Sequence, residues 1–428
     1  MSRRLVSLGL ALLGLALGRG AAAQEPAASD SPVLEQVTFD EAVSRATSRN
    51  PSVGEAAQAI LRAEALLSEA RSVFLPLAYG NVGTAVLDGA RGFDGNIVQP
   101  RTQTAFSATA SYPVLAASRW AAKNQAADRV ETARIAAQET RLQVAVSAAQ
   151  AYLAVITAER QLEIVVRNRD TAKALEDYAR TRLEAGQGSR LNHVRSVQQL
   201  ASAEGLVELA ALLVRRGQEA LGVAVFAPGP LGVKGEPSLP PALIPADDSW
   251  LGRRPDVQLF TSELVGAERI ASDAWKSWLP TVTASFTPRY VTPAGLFEPS
   301  KSWRAFFSLE VPIFDGTLRP QKRVYVADRE AARLRLEGLE NEARSELRIA
   351  REAVKRTERI VTAIGQAAES AREALRITEI AYRAGATTNI EVVQAQQTAR
   401  NAEIEAAVAE DRLRQARLDL LVALGQFP

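Results

Sequence analysis

The chain has 428 residues, of which 47% are hydrophobic and 23% are charged, and its formal net charge is only +2. It contains no cysteine, which excludes disulfides, thiolate metal sites and an acylated cysteine anchor. So small a net charge gives no argument for nucleic acid as a partner, since that would need a clustered basic face. With His193 as the only histidine, the sequence offers no nucleophile–base pair and no histidine–carboxylate metal cluster, so we predict neither an enzyme nor a cofactor.

Residues 1–23 have the features of a secretory signal peptide. A basic start at Arg3 and Arg4 is followed by an apolar run over residues 5–17 and then by three alanines. The run is too short to span a bilayer, so we predict cleavage before Gln24. Loss of the segment removes three arginines and changes the net charge from +2 to −1.

The rest of the sequence contains an internal repeat. Asn50-Pro51-Ser52-Val53 returns 204 positions later as Arg254-Pro255-Asp256-Val257, and from Pro113 onward matching residues are 199 positions apart. The change in offset falls where a hairpin loop is predicted, which favours a duplication over chance. We predict an N-terminal arm at 24–37, a first repeat at 38–227, a proline-rich linker at 228–249 and a second repeat at 250–425.

Each repeat is predicted to contain a helix, two strands and two very long helices. Thr38 and Glu41 have capping-box spacing, and the helix that they open is predicted to run to about Phe74. In the first repeat the strands are expected at about 76–88 and 103–113 and the long helices at about 117–185 and 190–226. The second repeat is expected to have strands at about 281–291 and 303–312 and long helices at about 319–384 and 388–424.

The long helices exceed what an ordinary domain core uses, because at 1.5 Å per residue the longest would measure on the order of 100 Å. One of them has an apolar seam with alternating spacings of three and four, which predicts coiled-coil packing. The seam residues are Val361, Ile364, Ala368, Ala371, Leu375, Thr378 and Tyr382. The most apolar stretch of the mature chain, Leu142 to Ala158, is interrupted by polar residues. We predict that it is a buried helix and not a membrane span.

The strands alternate between apolar and polar residues. Phe106, Ala108, Ala110 and Tyr112 alternate with serine and threonine, and strands of about 10 residues can cross a bilayer when tilted. A soluble sheet packed on helices would alternate in the same way, although four strands are too few to cover helices of this length. In lipid, four strands leave open edges, so several chains would have to complete a barrel. Two chains would give eight strands and three would give twelve, and the sequence leaves the number open.

In their order, these elements resemble the TolC-type outer-membrane efflux protein family, from about Thr38 to Gly425. The most similar pieces are Thr38-Phe-Asp-Glu-Ala42, Pro312-Ile-Phe-Asp-Gly316, and Tyr382-Arg-Ala-Gly385 followed by Ile390-Glu-Val-Val393. The resemblance implies a mainly α chain with a small β part, in two tandem structural repeats. It further implies a homotrimer in the outer membrane, with a 12-stranded β-barrel continued by a 12-helix α-barrel in the periplasm.

By the same resemblance, the protein would be the exit duct of a tripartite efflux pump for small molecules. Its partners would be further copies of itself, a periplasmic adaptor protein, an inner-membrane transporter and outer-membrane lipid. The stretch from Arg253 to Val257 is similar to the branch that works with proton-driven pumps. Two alternatives stay open, an exit duct for one-step (type I) protein secretion and a soluble periplasmic coiled-coil scaffold.

In the family, the turns between the long helices lie at the periplasmic end, where the adaptor docks and the channel constricts. By position, the residues expected at the adaptor-docking tips are Leu183, Gly186, Gly188, Leu191, Val194, Tyr382, Gly385, Ile390 and Val393. Glycines are expected there because each turn reverses direction tightly, although any helical hairpin needs the same. His193 is expected to be a surface residue at a tip.

The pore constriction implied by the resemblance involves Glu391, Gln394, Asn192 and Thr387. Two carboxylates often ring the pore after the second turn, and Glu391 and Gln394 stand at those positions, so three chains would present one acidic ring. Asn192 and Thr387 stand where the best-known members have a carboxylate and an arginine, so the ionic links that hold the tip shut are missing. We expect a constriction closed by apolar and neutral polar contacts with modest cation affinity at Glu391, the alternative being that Glu391 lies on a solvated helix face.

Overall fold

The computed structural model describes residues 34–237, 239, 242–245 and 247–427. The predicted signal peptide, most of the N-terminal arm and part of the linker lie outside these residues. The described part begins with β1 (Gln36–Val37), α1 (Phe39–Arg49) and α2 (Pro51–Ser72). Thr38 accepts a hydrogen bond from the backbone N–H of Glu41 at 3.3 Å, so the predicted N-cap is confirmed.

The single first helix predicted to run to Phe74 is wrong, because the chain breaks at Asn50. A proline disfavours helical backbone in the residue before it, and Asn50 is extended, with φ −63° and ψ 130°. Its side chain accepts a hydrogen bond from the Ser52 N–H at 3.0 Å and thereby caps α2. Two helices therefore replace one, although the Asn-Pro pair that separates them was visible in the sequence.

Four long strands form one antiparallel sheet in the order β2–β5–β7–β8. They are β2 (Leu77–Val86), β5 (Thr102–Leu115), β7 (Thr281–Thr292) and β8 (Lys301–Glu310). The register puts apolar residues opposite apolar residues, as in Val82 with Phe106, Phe286 with Ala305, and Ala284 with Phe307. One face of the sheet is thus apolar, and it is exposed, with Trp303 and Phe307 at 70% and 75% of their maximal exposure.

The loop between β2 and β5 holds a small ribbon that the sequence analysis did not predict. Strands β3 (Arg91–Phe93) and β4 (Asn96–Gln99) pair across a turn at Asp94 and Gly95, both of which have positive φ. The loop between β7 and β8 docks on this ribbon through a hydrogen bond from the Leu296 N–H to the Ile97 carbonyl at 3.2 Å. The two loops therefore meet at one end of the sheet.

Two pairs of long antiparallel helices extend from the sheet. They are α3 (Ala117–Glu184) with α4 (Arg190–Val225), and α6 (Leu318–Arg383) with α7 (Asn389–Ala423). All seven residues of the predicted seam on α6 are buried or half-buried. The fold is mainly helical with a small sheet part, as predicted.

The apolar middle of α3 is buried within the protein, as predicted. Tyr152, Leu153 and Val155 have no exposed surface. By length and composition alone, α3 and α4 are each apolar enough to cross a membrane, and 44% and 22% of their most apolar windows are buried. For α3 the buried side chains account for the apolar composition, whereas most of the α4 window remains uncovered in a single chain.

The segment predicted as a linker, between α4 and α5, is partly bound to the long helices. Strand β6 (Gly232–Val233) pairs in parallel with β1, and the Tyr152 hydroxyl donates to the Gly235 carbonyl at 2.8 Å. Glu236 forms ion pairs with Arg160 on α3 and with Arg414 on α7. The segment ends in a 3-10 helix (Asp248–Arg253), which leads into α5 (Pro255–Asp273).

Candidate functional site

The two turns that join the long helices have the same hydrogen-bond geometry. In the first, the Gly186 N–H donates to the Leu183 carbonyl at 3.0 Å, and in the second the Gly385 N–H donates to the Tyr382 carbonyl at 3.0 Å. Gly186 and Gly385 have φ values of +71° and +77°, a left-handed conformation that favours glycine over other residues. Both helices therefore end on a glycine in the same way.

Gly188 is needed in the first turn for a different reason, which is close packing. A Cβ at this position would lie 2.7 Å from the backbone nitrogen of Leu183. The chain can fold back this tightly only without a side chain.

The two turns pack against each other at one end of the molecule. The Asn389 side chain, at the start of α7, donates to the Ser196 hydroxyl on α4 at 3.2 Å, and both residues are buried. A cavity of about 420 Å³ separates the turns. Its walls bring together six predicted site residues, namely Gly188, Asn192, Tyr382, Gly385, Thr387 and Ile390.

Of the predicted constriction residues, Thr387 and Glu391 interact directly, because the Thr387 hydroxyl donates to the Glu391 carboxylate. Glu391 and Gln394 are exposed and Asn192 is half-buried. The Glu391 carboxylate thus has a neutral partner, whereas two arginines, Arg182 and Arg195, line the cavity between the turns. Among the described residues there is no group of three or more acidic or histidine side chains that could hold a metal ion.

The predicted docking residues divide into exposed and packed sets. Leu191, Val194 and Ile390 keep 55%, 54% and 44% of their maximal exposure, which is high for apolar side chains. Tyr382 is buried instead, with its ring 5.6 Å from the ring of Tyr178. The tip therefore presents aliphatic side chains to its surroundings and keeps its aromatic rings inside. Of the other predicted docking residues, Leu183, Gly188 and Val393 are half-buried, and Gly186 and Gly385 are exposed.

His193 is packed more closely than the sequence analysis expected of a surface residue. Its Nε2 atom lies 3.1 Å from the Oε1 atom of Glu176 on α3, and the two side chains are 25% and 11% exposed. The sequence analysis missed this pair, and it also missed Asn389 with Ser196. No spacing rule connects positions on different helices, so neither contact could be predicted from the sequence.

Comparison with known proteins agrees with this architecture. A family model described as outer membrane efflux protein matches residues 248–426. Over these residues the chain is similar to the outer membrane efflux protein family. The resemblance drawn from the sequence is therefore confirmed.

Relatives and solved structures extend the similarity beyond residues 248–426. The chain is similar to outer membrane protein OprJ of Pseudomonas aeruginosa, with 27% identity over 68% of this chain, and to nodulation protein T of Rhizobium leguminosarum bv. viciae, with 25% identity over 62%. The matched parts span 63% and 57% of those two relatives. The CmeC outer membrane channel of Campylobacter jejuni shares the fold, with a TM-score of 0.78 and 16% identity over 91% of this chain and 86% of that chain.

These matches locate the protein in the outer membrane. The soluble scaffold left open by the sequence does not agree with that location. It also disagrees with the exposed apolar face of the four-stranded sheet, since a soluble protein rarely leaves a patch of this kind uncovered.

Proposed function

We propose that this protein is the outer-membrane exit duct of a tripartite efflux pump and that it works as a homotrimer. Four strands from each chain would close a 12-stranded barrel, and four long helices from each chain would form a tube through the periplasm. The observation that carries the proposal is the two-faced sheet joined to two helices of about 100 Å, α3 and α6, in a chain whose residues 248–426 match an outer membrane efflux family model.

The sheet supports assembly because a single chain leaves both of its edges open. Strands β2 and β8 are edge strands, and nearly all of their residues are exposed. Unpaired backbone groups are not tolerated at the edge of a sheet in lipid. Pairing of β8 in one chain with β2 in the next would close the barrel without unpaired edges.

Helix α4 supports the same assembly from the periplasmic side. Leu209, Leu212 and Leu213 keep 53%, 46% and 42% of their maximal exposure in the single chain. An apolar helix face of this kind is usually covered by another element. A neighbouring copy in a tube of helices would supply that cover.

The tips would be the place where the duct meets its partners. Leu191, Val194 and Ile390 form an exposed apolar surface near the turns, which fits docking of the helices of a periplasmic adaptor protein. An inner-membrane transporter would supply small molecules through the adaptor. The resemblance at Arg253 to Val257 favours a proton-driven transporter. Export of proteins by a one-step exporter is the alternative cargo.

Planar-bilayer recording tests the channel and the constriction together. The purified protein should give discrete conductance steps, and Glu391→Gln should reduce cation preference and block by multivalent cations, because it removes the one acidic ring. Glu55→Gln, an exposed residue on α2 with the same change of charge, is the matched control and should leave both unchanged. Absence of any conductance would overturn the duct, whereas conductance unaffected by Glu391→Gln would overturn only the acidic ring.

A further inference from the structure

A second cavity near the tip lies between α3, α6 and α7 and encloses about 310 Å³. Its walls include Tyr178 on α3, Tyr382 on α6 and Gln396 on α7. It is separate from the cavity between the two turns, and none of the residues expected at the pore constriction lines it. A volume of this size suits a small organic molecule.

Gln396 is the feature that packing within the chain does not explain. Its side chain is only 1% exposed, and neither its amide nitrogen nor its amide oxygen has a hydrogen-bond partner among the described residues. A buried amide that makes no hydrogen bond is costly to the fold. A wall of the cavity that carries two unused hydrogen-bonding atoms is suited to a ligand with polar hydrogens.

One part of the cavity wall is apolar and aromatic. Leu175, Tyr382 and Val392 are buried and pack together, and the Tyr178 ring packs against them. The guanidinium carbon of Arg182 already lies 5.8 Å from the centroid of the Tyr178 ring, so this site is compatible with a cation near an aromatic face. The ligand would therefore carry an apolar body next to its polar group.

The rim of the cavity carries charged groups of both signs. Asp170 and Glu379 line the cavity together with one cationic side chain, Arg383. Asp170 is paired with Arg169 at 2.5 Å, whereas Glu379 is half-buried and has no ion-pair partner among the described residues. Glu379 is therefore the carboxylate available to a bound cation.

We propose that this cavity binds a small organic cation with an aromatic or aliphatic body, held by Glu379 through its charge and by Gln396 through hydrogen bonds. The site lies within one chain and does not depend on the duct function proposed above.

The test uses benzamidinium and its neutral isostere benzamide as probes of the full-length mature protein in detergent at pH 7. Saturation-transfer NMR titrations should show saturable binding of benzamidinium, about tenfold tighter than that of benzamide. Glu379→Gln should remove this preference, and Gln396→Leu should weaken benzamidinium binding about tenfold. Gln198→Leu, at an exposed glutamine on α4, is the matched control and should change neither affinity.

The proposal would be overturned if benzamidinium showed no saturable binding. It would also be overturned if wild type, Gln396→Leu and Glu379→Gln bound benzamidinium with equal affinity. Either result would leave a buried water as the partner of Gln396. If Gln396→Leu did not fold, as judged by circular dichroism, the Glu379→Gln titration would decide alone. Conductance is a separate readout, so failure of this site would leave the duct untouched, and failure of the duct would leave this site untouched.

Discussion

At the scale of single residues, Arg254 shows how a sequence motif acts through packing. Its side chain is 10% exposed and forms ion pairs with Asp256 at 2.6 Å and with Glu346 of α6 at 2.8 Å. It also donates to the carbonyl of Ala423, at the end of α7, at 3.4 Å. Burial alone would lower the pKa of Arg254, but the hydrogen bonds to the two carboxylates outweigh burial and raise it. One guanidinium thus ties the start of α5 to both helices of the second pair.

We expect Arg254→Ala to lower the free energy of unfolding by about 3 kcal/mol, because it leaves two carboxylates without their partner. The neighbouring Arg253 is exposed, so Arg253→Ala is the matched control and should stay within about 0.5 kcal/mol of wild type. Thermal unfolding of the detergent-solubilised protein, followed by circular dichroism, measures both. Equal midpoints for the two variants would contradict the role given to Arg254.

Asp411 is a buried carboxylate whose contribution to stability depends on pH. Its Oδ2 atom accepts a hydrogen bond from Gln415 at 3.1 Å, while Oδ1 is buried with no partner in the described part of the chain. Burial raises the pKa of Asp411 against the opposing effects of Thr157 and Arg414. A raised folded-state pKa means that the contribution of this group is fully present below its unfolded pKa and is lost as pH rises through the folded pKa.

Asp411→Asn should therefore stabilise the protein at pH 7, by on the order of 1 kcal/mol. The gain should shrink as the pH is lowered through the raised folded-state pKa of Asp411, because the wild-type carboxyl then becomes protonated. Thermal midpoints at several pH values measure the trend, with Asp328→Asn, at an exposed position on α6, as the control. A gain that did not change with pH would show that the charge of Asp411 is not the cause.

At the scale of elements, the four-stranded sheet separates two environments. Phe307 lies on the exposed apolar face opposite Ala284, and the next residue, Ser308, lies opposite Thr283 on the other face. The register keeps this separation over much of the sheet, although Tyr79 on β2 and Phe306 on β8 lie on the otherwise polar face.

We expect Phe307→Arg to destabilise the membrane-inserted protein by about 2–4 kcal/mol, because it places a charge against lipid. Ser308→Arg introduces arginine one residue later and should be tolerated, because residue 308 lies on the same face of β8 as Arg304. The amount of protein in purified outer membranes, with and without urea extraction, reports the difference. Equal loss of both variants would mean that the apolar face does not meet lipid.

Sequence patterns predicted the regular elements well and the irregular contacts poorly. Alternation predicted strands β5, β7 and β8, and the seven seam residues predicted on α6 are buried or half-buried, although the buried Ala343 and Ala350 lie outside that seam. The ribbon at β3 and β4 was missed because strands of three and four residues are too short for a pattern. The break at Asn50 was missed because the helical composition on both sides outweighed one Asn-Pro pair.

Some residues of the candidate site could be predicted from the sequence and others could not. Gly186 and Gly385 were predicted correctly as turn residues, because a tight reversal of a helix needs a residue that accepts positive φ. The contact of Asn389 with Ser196 and the isolated amide of Gln396 could not be predicted. Both depend on how α4 and α7 lie against other helices, and no periodicity within one helix contains that information.

At the scale of the whole molecule, the single chain is incomplete on two surfaces. The sheet has open edges at β2 and β8, and α4 leaves leucines exposed along its length. Both surfaces would be covered by neighbouring copies around one axis, so a single assembly would account for both. We therefore expect three chains to form one closed tube.

The mass of the detergent-extracted protein, measured by light scattering before and after heating, tests this claim most directly. We expect a trimer of a little under three times 46.0 kDa, because each chain loses its signal peptide. On heating, this trimer should dissociate to single chains. A monomer or dimer before heating, or a protein that stays in solution without detergent, would contradict the trimeric tube.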